Sequence, residues 1–292
     1  MKTESRFFPI FRVLVVVFLI LVAVAALVPF FWAVSSSLKS EEETFSRPFA
    51  WIPEAWAWEN YIKIFERAPL ARNMLNSMYY VCGQLILTLI IVPMAGYVLA
   101  RKHFPGRDWI FVGILMLMVI PRQATVVHLF VLIKNFPLFG GNNILGQGGR
   151  GLVDTFTGLI LPRAAEPMSI FIMRQFFWSM PKDLESAAKI DGANEWQTYR
   201  SIFLPLATAG MSVVIIFGFE NAWNDFLWPL IVLYSKQKFT VQLGLLEFQS
   251  DTGALWAQLM AATVVVTVPM IALFLVFQRF FFKGISFEGV TK

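Results

Sequence analysis

Six stretches of the chain stay apolar for about 20 residues, the length a helix needs to cross the hydrocarbon of a bilayer. Charge-poor windows place them at roughly 12–34, 76–99, 109–133, 154–174, 203–228 and 255–279. The first, second and sixth carry no charge between their ends. The middle three are interrupted, by Pro121 and Arg122 in the third, by Pro162, Arg163, Glu166 and Pro167 in the fourth, and by Glu220, Asn221, Asn224 and Asp225 in the fifth. A charge within hydrocarbon costs about 2.5–3.5 kcal/mol and must face a partner or water, so a working interior is expected from those three. The pattern predicts an all-α membrane protein of six transmembrane helices, forming a single transmembrane domain over residues 1–292.

Between the fourth and fifth stretches lies a polar run from Met180 to Pro205, MPKDLESAAKIDGANEWQTYRSIFLP. Its helix formers break at Gly192 and resume to Pro205, which predicts a helix-bend-helix at 180–205. Connections between spans are usually short. About 25 polar, foldable residues therefore point to a docking surface for another protein. An amphipathic helix lying on lipid is the alternative, and Asp183, Glu185, Asp191 and Glu195 would face anionic headgroups unfavourably there.

Composition agrees with the pattern. A chain with 57% hydrophobic, 16% aromatic and only 15% charged residues is too apolar for a soluble domain of this length. Its net charge of +5 comes from cations clustered at the ends of apolar stretches. No basic face interleaved with aromatics offers itself to nucleic acid. The tight loop Arg101–Arg107, with Lys102, is the strongest vote for a cytoplasmic side, and Arg174, Lys182, Lys189, Arg200, Arg279 and Lys283 fall on the same face. Both termini are expected in the cytoplasm. The first stretch, though preceded by Lys2, Arg6 and Arg12, is too long for a signal core of about 7–15 residues and reads as a retained span. Outside the membrane, residues 39–72 suit an ordered cap with interfacial Trp51, Trp56 and Trp58. Residues 134–153, rich in glycine, read as a flexible loop.

Candidate chemistry is sparse. No GxxxxGK[ST] phosphate loop, GxSxG elbow or HExxH helix occurs, so ATP hydrolysis is expected elsewhere and the chain is not expected to be an enzyme. Cys82 is assigned to packing, and His103 and His128 lie too far apart in sequence for a His-rich metal site; no metal and no bound cofactor are expected. Glu220, Asn221, Asn224, Phe226 and Trp228 combine hydrogen-bonding groups with aromatic faces, as sugar recognition requires, or else serve as glue between helices. Arg163 and Glu166, three apart, suit a mutual ion pair. Arg122 and Arg163 together could instead attract an anionic sugar.

The residues ESAAKIDGA at 185–193, followed nine residues after Gly192 by Ile202-Phe203-Leu204-Pro205, resemble the EAA loop of permease subunits in bacterial binding-protein-dependent ABC importers. Spacing agrees throughout, and the departure is Ser186 where the motif has Glu, with Glu185 one position earlier. RQFFWSMPKDLESAAKIDGA and NAWNDFLWPLIVL are similar to the maltose and glycerol-phosphate branch of carbohydrate permeases, second-permease type. The resemblance implies a multi-pass protein of the bacterial inner membrane that forms half of a translocation pathway. Its implied partners are a second homologous permease, an ATPase dimer that holds ATP and Mg, an extracytoplasmic solute-binding protein, and membrane lipid.

It further implies a coupling helix seated on the ATPase through Glu185, Ser186, Ala187, Ala188, Asp191, Gly192, Ala193, Leu204 and Pro205. Small Ala187 and Ala188 would allow close approach, Gly192 the bend, and Asp191 a cap for the following helix. By the same resemblance Gln249, Ser250, Asp251, Thr252 and Gly253 would meet the binding protein, and the tail GISFEGVTK the ATPase dimer. Arg122, Arg163, Glu166, Glu220, Asn221, Asn224 and Asp225 are the candidate substrate pathway. A self-contained secondary transporter, with Glu220 or Asp225 carrying protons, is the other class considered. The absence of visible inverted repeats and the long docking run weigh against it.

Overall fold

A computed structural model describes residues 7–45, 50–250 and 253–285. Fifteen α-helices follow one another among them, beginning with α1 Phe7–Ser37, α2 Glu41–Thr44, α3 Asn60–Arg67, α4 Leu70–Arg101, α5 Arg107–Val119 and α6 Arg122–Lys134. Next come α7 Phe156–Ile160, α8 Pro167–Ser179, α9 Asp183–Ile190, α10 Glu195–Thr198, α11 Leu204–Leu206 and α12 Thr208–Trp223. The last three are α13 Leu227–Val232, α14 Val241–Gly244 and α15 Trp256–Ile285. The chain divides into two compact units, residues 1–70 with 245–267 and residues 71–244 with 268–292.

Three helices are long and apolar enough to cross a membrane, at 11–37, 70–101 and 256–278. Two bent pairs raise the number to five if each is one crossing: α5 with α6 at 109°, and Glu195–Leu206 with α12 at 72°. The polar interruptions are real backbone breaks. Pro121 sits at the α5–α6 bend, where the preceding Ile120 is extended, as a residue before proline prefers. The expected stretch 154–174 is not one helix: α7 tightens into a 3-10 turn at Leu161–Arg163, and Glu166 is extended before Pro167 opens α8. Pro162 and Pro167 lack the N–H that a continuous helix would use. The stretch 203–228 likewise breaks after Leu206 and again at Asn224 and Asp225.

In the larger unit, Tyr97 on α4 packs against Phe177 of α8, Tyr199 and Phe203, at centroid separations of 5.7, 5.1 and 5.2 Å. Gly96 lets α4 and α8 cross closely, since a Cβ there would lie 2.7 Å from the Met173 Cβ. α4 also carries a buried polar stripe, Asn73, Ser77, Tyr80, Gln84 and Thr88, at helical spacing. Thr88 donates to the Ala164 carbonyl (2.9 Å), Ser77 accepts from the Val241 amide (2.8 Å), and Asn76 donates to the Gln237 and Phe239 carbonyls (2.9 and 3.0 Å). Ser77 and Thr88 of the stripe, with Asn76 beside it, thus supply hydrogen bonds that the broken helices cannot make for themselves, while the side-chain oxygens of Asn73 and Gln84 are buried without a partner among the described residues.

The glycine-rich loop 134–153 is tightly organised rather than loose. The Asn142 side chain donates to the Lys134 and Phe136 carbonyls and accepts from Gly149, while Asn143 accepts from Leu145 and Gln147. Beyond it, buried Asp154 accepts from the Tyr234 and Ser235 amides (both 3.1 Å), the Ser235 hydroxyl (2.6 Å) and the Lys238 amine (3.0 Å). Burial opposes its charge, yet these donors outweigh that and hold the carboxyl well below the usual carboxylate range.

In the smaller unit, Asn60 at the start of α3 donates to the Ser37 and Lys39 carbonyls (both 2.9 Å), closing the orphaned end of α1. Glu41 accepts from the amides of Ala257 and Gln258 (3.1 and 3.4 Å), placing a carboxylate at the N-terminus of α15. Among the described residues of 39–72, Trp56 and Trp58 stack at 5.9 Å, and Asn60 ties together Lys39 and the neighbouring Ser37.

Candidate functional site

Two polar regions of the larger unit contain most of the residues singled out in the sequence. The first is the run 183–206. Helix α9 opens with Asp183 and Glu185 and closes with Lys189, charges suited to its dipole. Gly192 adopts φ +76 with nothing near a would-be Cβ, and its amide and that of Ala193 bond back to Lys189 and Ala188 (3.1 and 2.9 Å), a Schellman closure. The second helix is capped by Asn194, not by Asp191: Asn194 accepts from the Gln197 amide and Gln197 returns the bond (2.9 and 2.8 Å). A one-turn π-helix, Tyr199–Phe203, then leads to Pro205.

One side of this run is fixed to the rest of the unit. Phe203 is fully buried, with the Arg101 guanidinium 5.0 Å from its ring; Arg101 also donates to the Met180 carbonyl and lies 3.9 Å from Glu185. Lys102 pairs with Glu195. Burial of Lys102 works against its charge, but Glu195 and the nearby Tyr97 hydroxyl prevail and hold its amine above the usual lysine range. Ala188 is buried against the chain's own fold, whereas Ser186, Ala187, Asp191, Gly192 and Pro205 are exposed, with Ala193 and Leu204 half-buried. Ile190 and Trp196 stand in the open at 86% and 54% exposure, an uncovered apolar face beside the bend.

The second region gathers charged residues from helix breaks distant in sequence. Arg122, first residue after the α5–α6 bend, donates to Glu166 at 2.7 Å and to Asn221 at 3.2 Å. Arg163 donates to Asp225 at 3.2 Å and has Glu166 3.9 Å away. Asp225 also accepts from the Tyr80 hydroxyl (3.2 Å) and the Trp228 amide (3.3 Å). Glu166, Arg163 and Asp225 are 12%, 15% and 10% exposed, while Arg122 is 49% exposed. Each arginine therefore has a carboxylate of its own, and no cationic surplus is left over. Arg163 and Glu166 are neighbours as their spacing suggested, but the shorter bonds run to Asp225 and Arg122. Alongside, Asn224 donates to Glu220 (3.3 Å) and Gln242 donates to Asn224 (3.4 Å).

Sequence reasoning missed Tyr80, Gln84, Thr88 and Gln242. The first three were available as a period of three to four polar residues inside an otherwise apolar stretch. Cys82, assigned to packing, is exposed on α4. Of the expected binding-protein contacts, Gln249–Ser250 pairs antiparallel with Gly253–Ala254 as a small hairpin; Asp251 and Thr252 lie outside the described residues. So does the tail from residue 286.

Three helices long and apolar enough to cross a bilayer, with two further bent pairs, mark an integral membrane protein. Over residues 92–287 the chain matches the family described as binding-protein-dependent transport system inner membrane component, and it belongs to that family. It is 37% identical over 269 residues to the diacetylchitobiose uptake system permease protein NgcG of Streptomyces coelicolor, covering 89% of this chain and 83% of the relative. It is 32% identical over 293 residues, 99% of each chain, to the arabinooligosaccharides transport system permease protein AraQ of Bacillus subtilis. The fold agrees at a TM-score of 0.77 and 22% identity with a chain of a bacterial ABC transporter involved in the import of the acidic polysaccharide alginate, covering 96% of this chain and all of that one. A permease of this kind is a transporter component, not an enzyme, and the family does not favour a self-contained secondary transporter.

Proposed function

We propose that the chain is one of two homologous permease subunits in an ATP-driven importer of neutral oligosaccharides in the bacterial inner membrane. In this reading residues 1–292 act as one transmembrane domain of six spans with both termini in the cytoplasm. ATP and Mg are held by a separate ATPase dimer, this chain binds no cofactor, and an external binding protein delivers the sugar near Gln249–Gly253. The run 180–205 transmits ATPase movement as a lever, shifting the population between inward- and outward-facing states. Support for the lever lies in one observation: the run is anchored on one side by Phe203, Tyr97 and Arg101 and leaves Ile190 and Trp196 uncovered on the other.

The preference for a neutral substrate rests on the charge balance. Arg122, Arg163, Glu166 and Asp225 cancel, and adjacent Glu220 adds a negative charge, so an anion would meet no unpaired cation. The names of the relatives, a diacetylchitobiose and an arabinooligosaccharide permease, point the same way. Glu220, Asn221 and Asn224 would then offer hydrogen bonds to hydroxyls along the path. Reconstituted with its ATPase and binding protein, the importer is expected to take up a neutral disaccharide and to ignore a uronate oligomer of similar size. Preferential uptake of the uronate would reject the neutral assignment. Gly192→Asp is expected to insert normally and lose substrate-stimulated ATP hydrolysis; unchanged stimulation would reject the lever.

A further inference from the structure

Arg174 on α8 differs from the other arginines around it. Its guanidinium carbon lies 3.8 Å from the Phe111 ring centroid on α5 and 5.0 Å from that of Trp178, so two aromatic residues hold it in place. Its Nε is buried with no hydrogen-bond acceptor, and no carboxylate pairs with it among the described residues. By contrast Arg101, Arg107, Arg122 and Arg163 each face a carboxylate within ion-pair distance. Arg107 lies one helical turn before Phe111 on the same face of α5, but its charge is taken up by exposed Asp108, which also acts on Arg174 from beyond ion-pair distance. Trp109 and Trp178 stand exposed at 81% and 53%, the amphipathic rings that settle at headgroup depth.

We propose that Arg174, seated between Phe111 and Trp178, binds the phosphate of an anionic phospholipid. The planar guanidinium matches a phosphate with two parallel N–H bonds, and the rings keep its orientation fixed before the ligand arrives. The exposed tryptophans would lie against the glycerol and upper acyl region of the same lipid. Only the choice of leaflet rests on the topology proposed above: the cytoplasmic leaflet is the anionic one, and this is the end where Lys102, Arg107 and Lys182 collect.

Native mass spectrometry of the detergent-purified chain, with whatever subunits co-purify, tests this without requiring transport. Titration with phosphatidylglycerol is expected to give a retained lipid that phosphatidylcholine of the same acyl chains does not match. Arg174→Gln is expected to lower phosphatidylglycerol retention about fivefold, the factor that corresponds to ~1 kcal/mol for one interfacial cation. Arg174→Lys should fall between. Trp178→Leu, which keeps the charge, supplies a second reading if Arg174→Gln does not fold, and is expected to weaken retention about twofold. Equal retention by wild type and the folded variants would overturn the site. So would displacement of the lipid by millimolar inorganic phosphate, which would make the ligand a free anion. Loss of a co-purifying subunit in Arg174→Gln, with lipid retention unchanged, would make Arg174 a subunit contact and overturn the lipid assignment as well.

Discussion

The run 183–206 and the cluster at Arg122, Arg163, Glu166 and Asp225 are both polar regions of the same unit, held by opposite means. The run is contiguous, and its anchoring is mainly aromatic, with one largely buried ion pair, Arg101 to Glu185, and an exposed one at Lys102–Glu195. The cluster draws on residues about a hundred positions apart, and charge pairs at helix breaks hold it together. If the run is the proposed lever, a hydrophobic root suits a part that moves as one body. In the cluster Arg163 lies between two carboxylates, so its bonds can exchange between Asp225 and Glu166.

Removing a buried partner separates the two designs most sharply. Asp225→Ala leaves Arg163, the Tyr80 hydroxyl and the Trp228 amide without their acceptor, and is expected to cost about 3–5 kcal/mol, read as lost folded yield and a lower melting temperature in detergent. A melting temperature equal to wild type would show the pair to be dispensable. Asp154→Ala, in the loop clamp, is expected to cost about 2–3 kcal/mol, since charge-assisted bonds from Ser235 and Lys238 are lost. Because the folded carboxyl titrates below its unfolded value of about 4, the clamp's contribution is complete above that pH and drains away as pH falls further. A melting curve that weakens instead between pH 7 and 5 would contradict it. In the run, Asn194→Ala removes a helix cap and is expected to cost about 1 kcal/mol by the same assay.

The smallest effect is expected at Lys102–Glu195, whose carboxylate is 64% exposed. Glu195→Gln should change stability by less than about 1 kcal/mol. With the lysine held above its ordinary range, its contribution is intact at neutral pH and is lost only as pH rises through the raised value. A large change on substitution would mean that the rim, and not Phe203, anchors the run.

These differences also decide what could be read in advance. The run is legible because its signals are local: helix formers, Gly192 at the bend, Pro205 at the end. Even so, the cap fell to Asn194, since capping depends on which residue stands two or three positions before the free amides. In the cluster the charged members were visible as intrusions into apolar stretches, but their partners were not. Sequence spacing favoured Arg163 with Glu166; tertiary folding brought Asp225 and Arg122 closer. The interruptions in the stretch 154–174 are visible as Pro162, Arg163, Glu166 and Pro167; that the two prolines turn them into a full break between α7 and α8 is not, since that depends on which backbone bonds the fold supplies elsewhere.

The polar stripe of α4 has a consequence for how the protein is made. Ribosomes emit α4 well before the segments around Ala164 and Val241, whose free backbone groups Thr88 and Ser77 will satisfy. During that interval Ser77 and Thr88 have no partners in those segments, yet α4 alone is apolar enough to cross a membrane. The broken segments around Ala164 and Val241 lack a donor and an acceptor of their own and depend on it. The expected order is therefore that α4 enters the bilayer first and the later segments pack only onto a helix already in place.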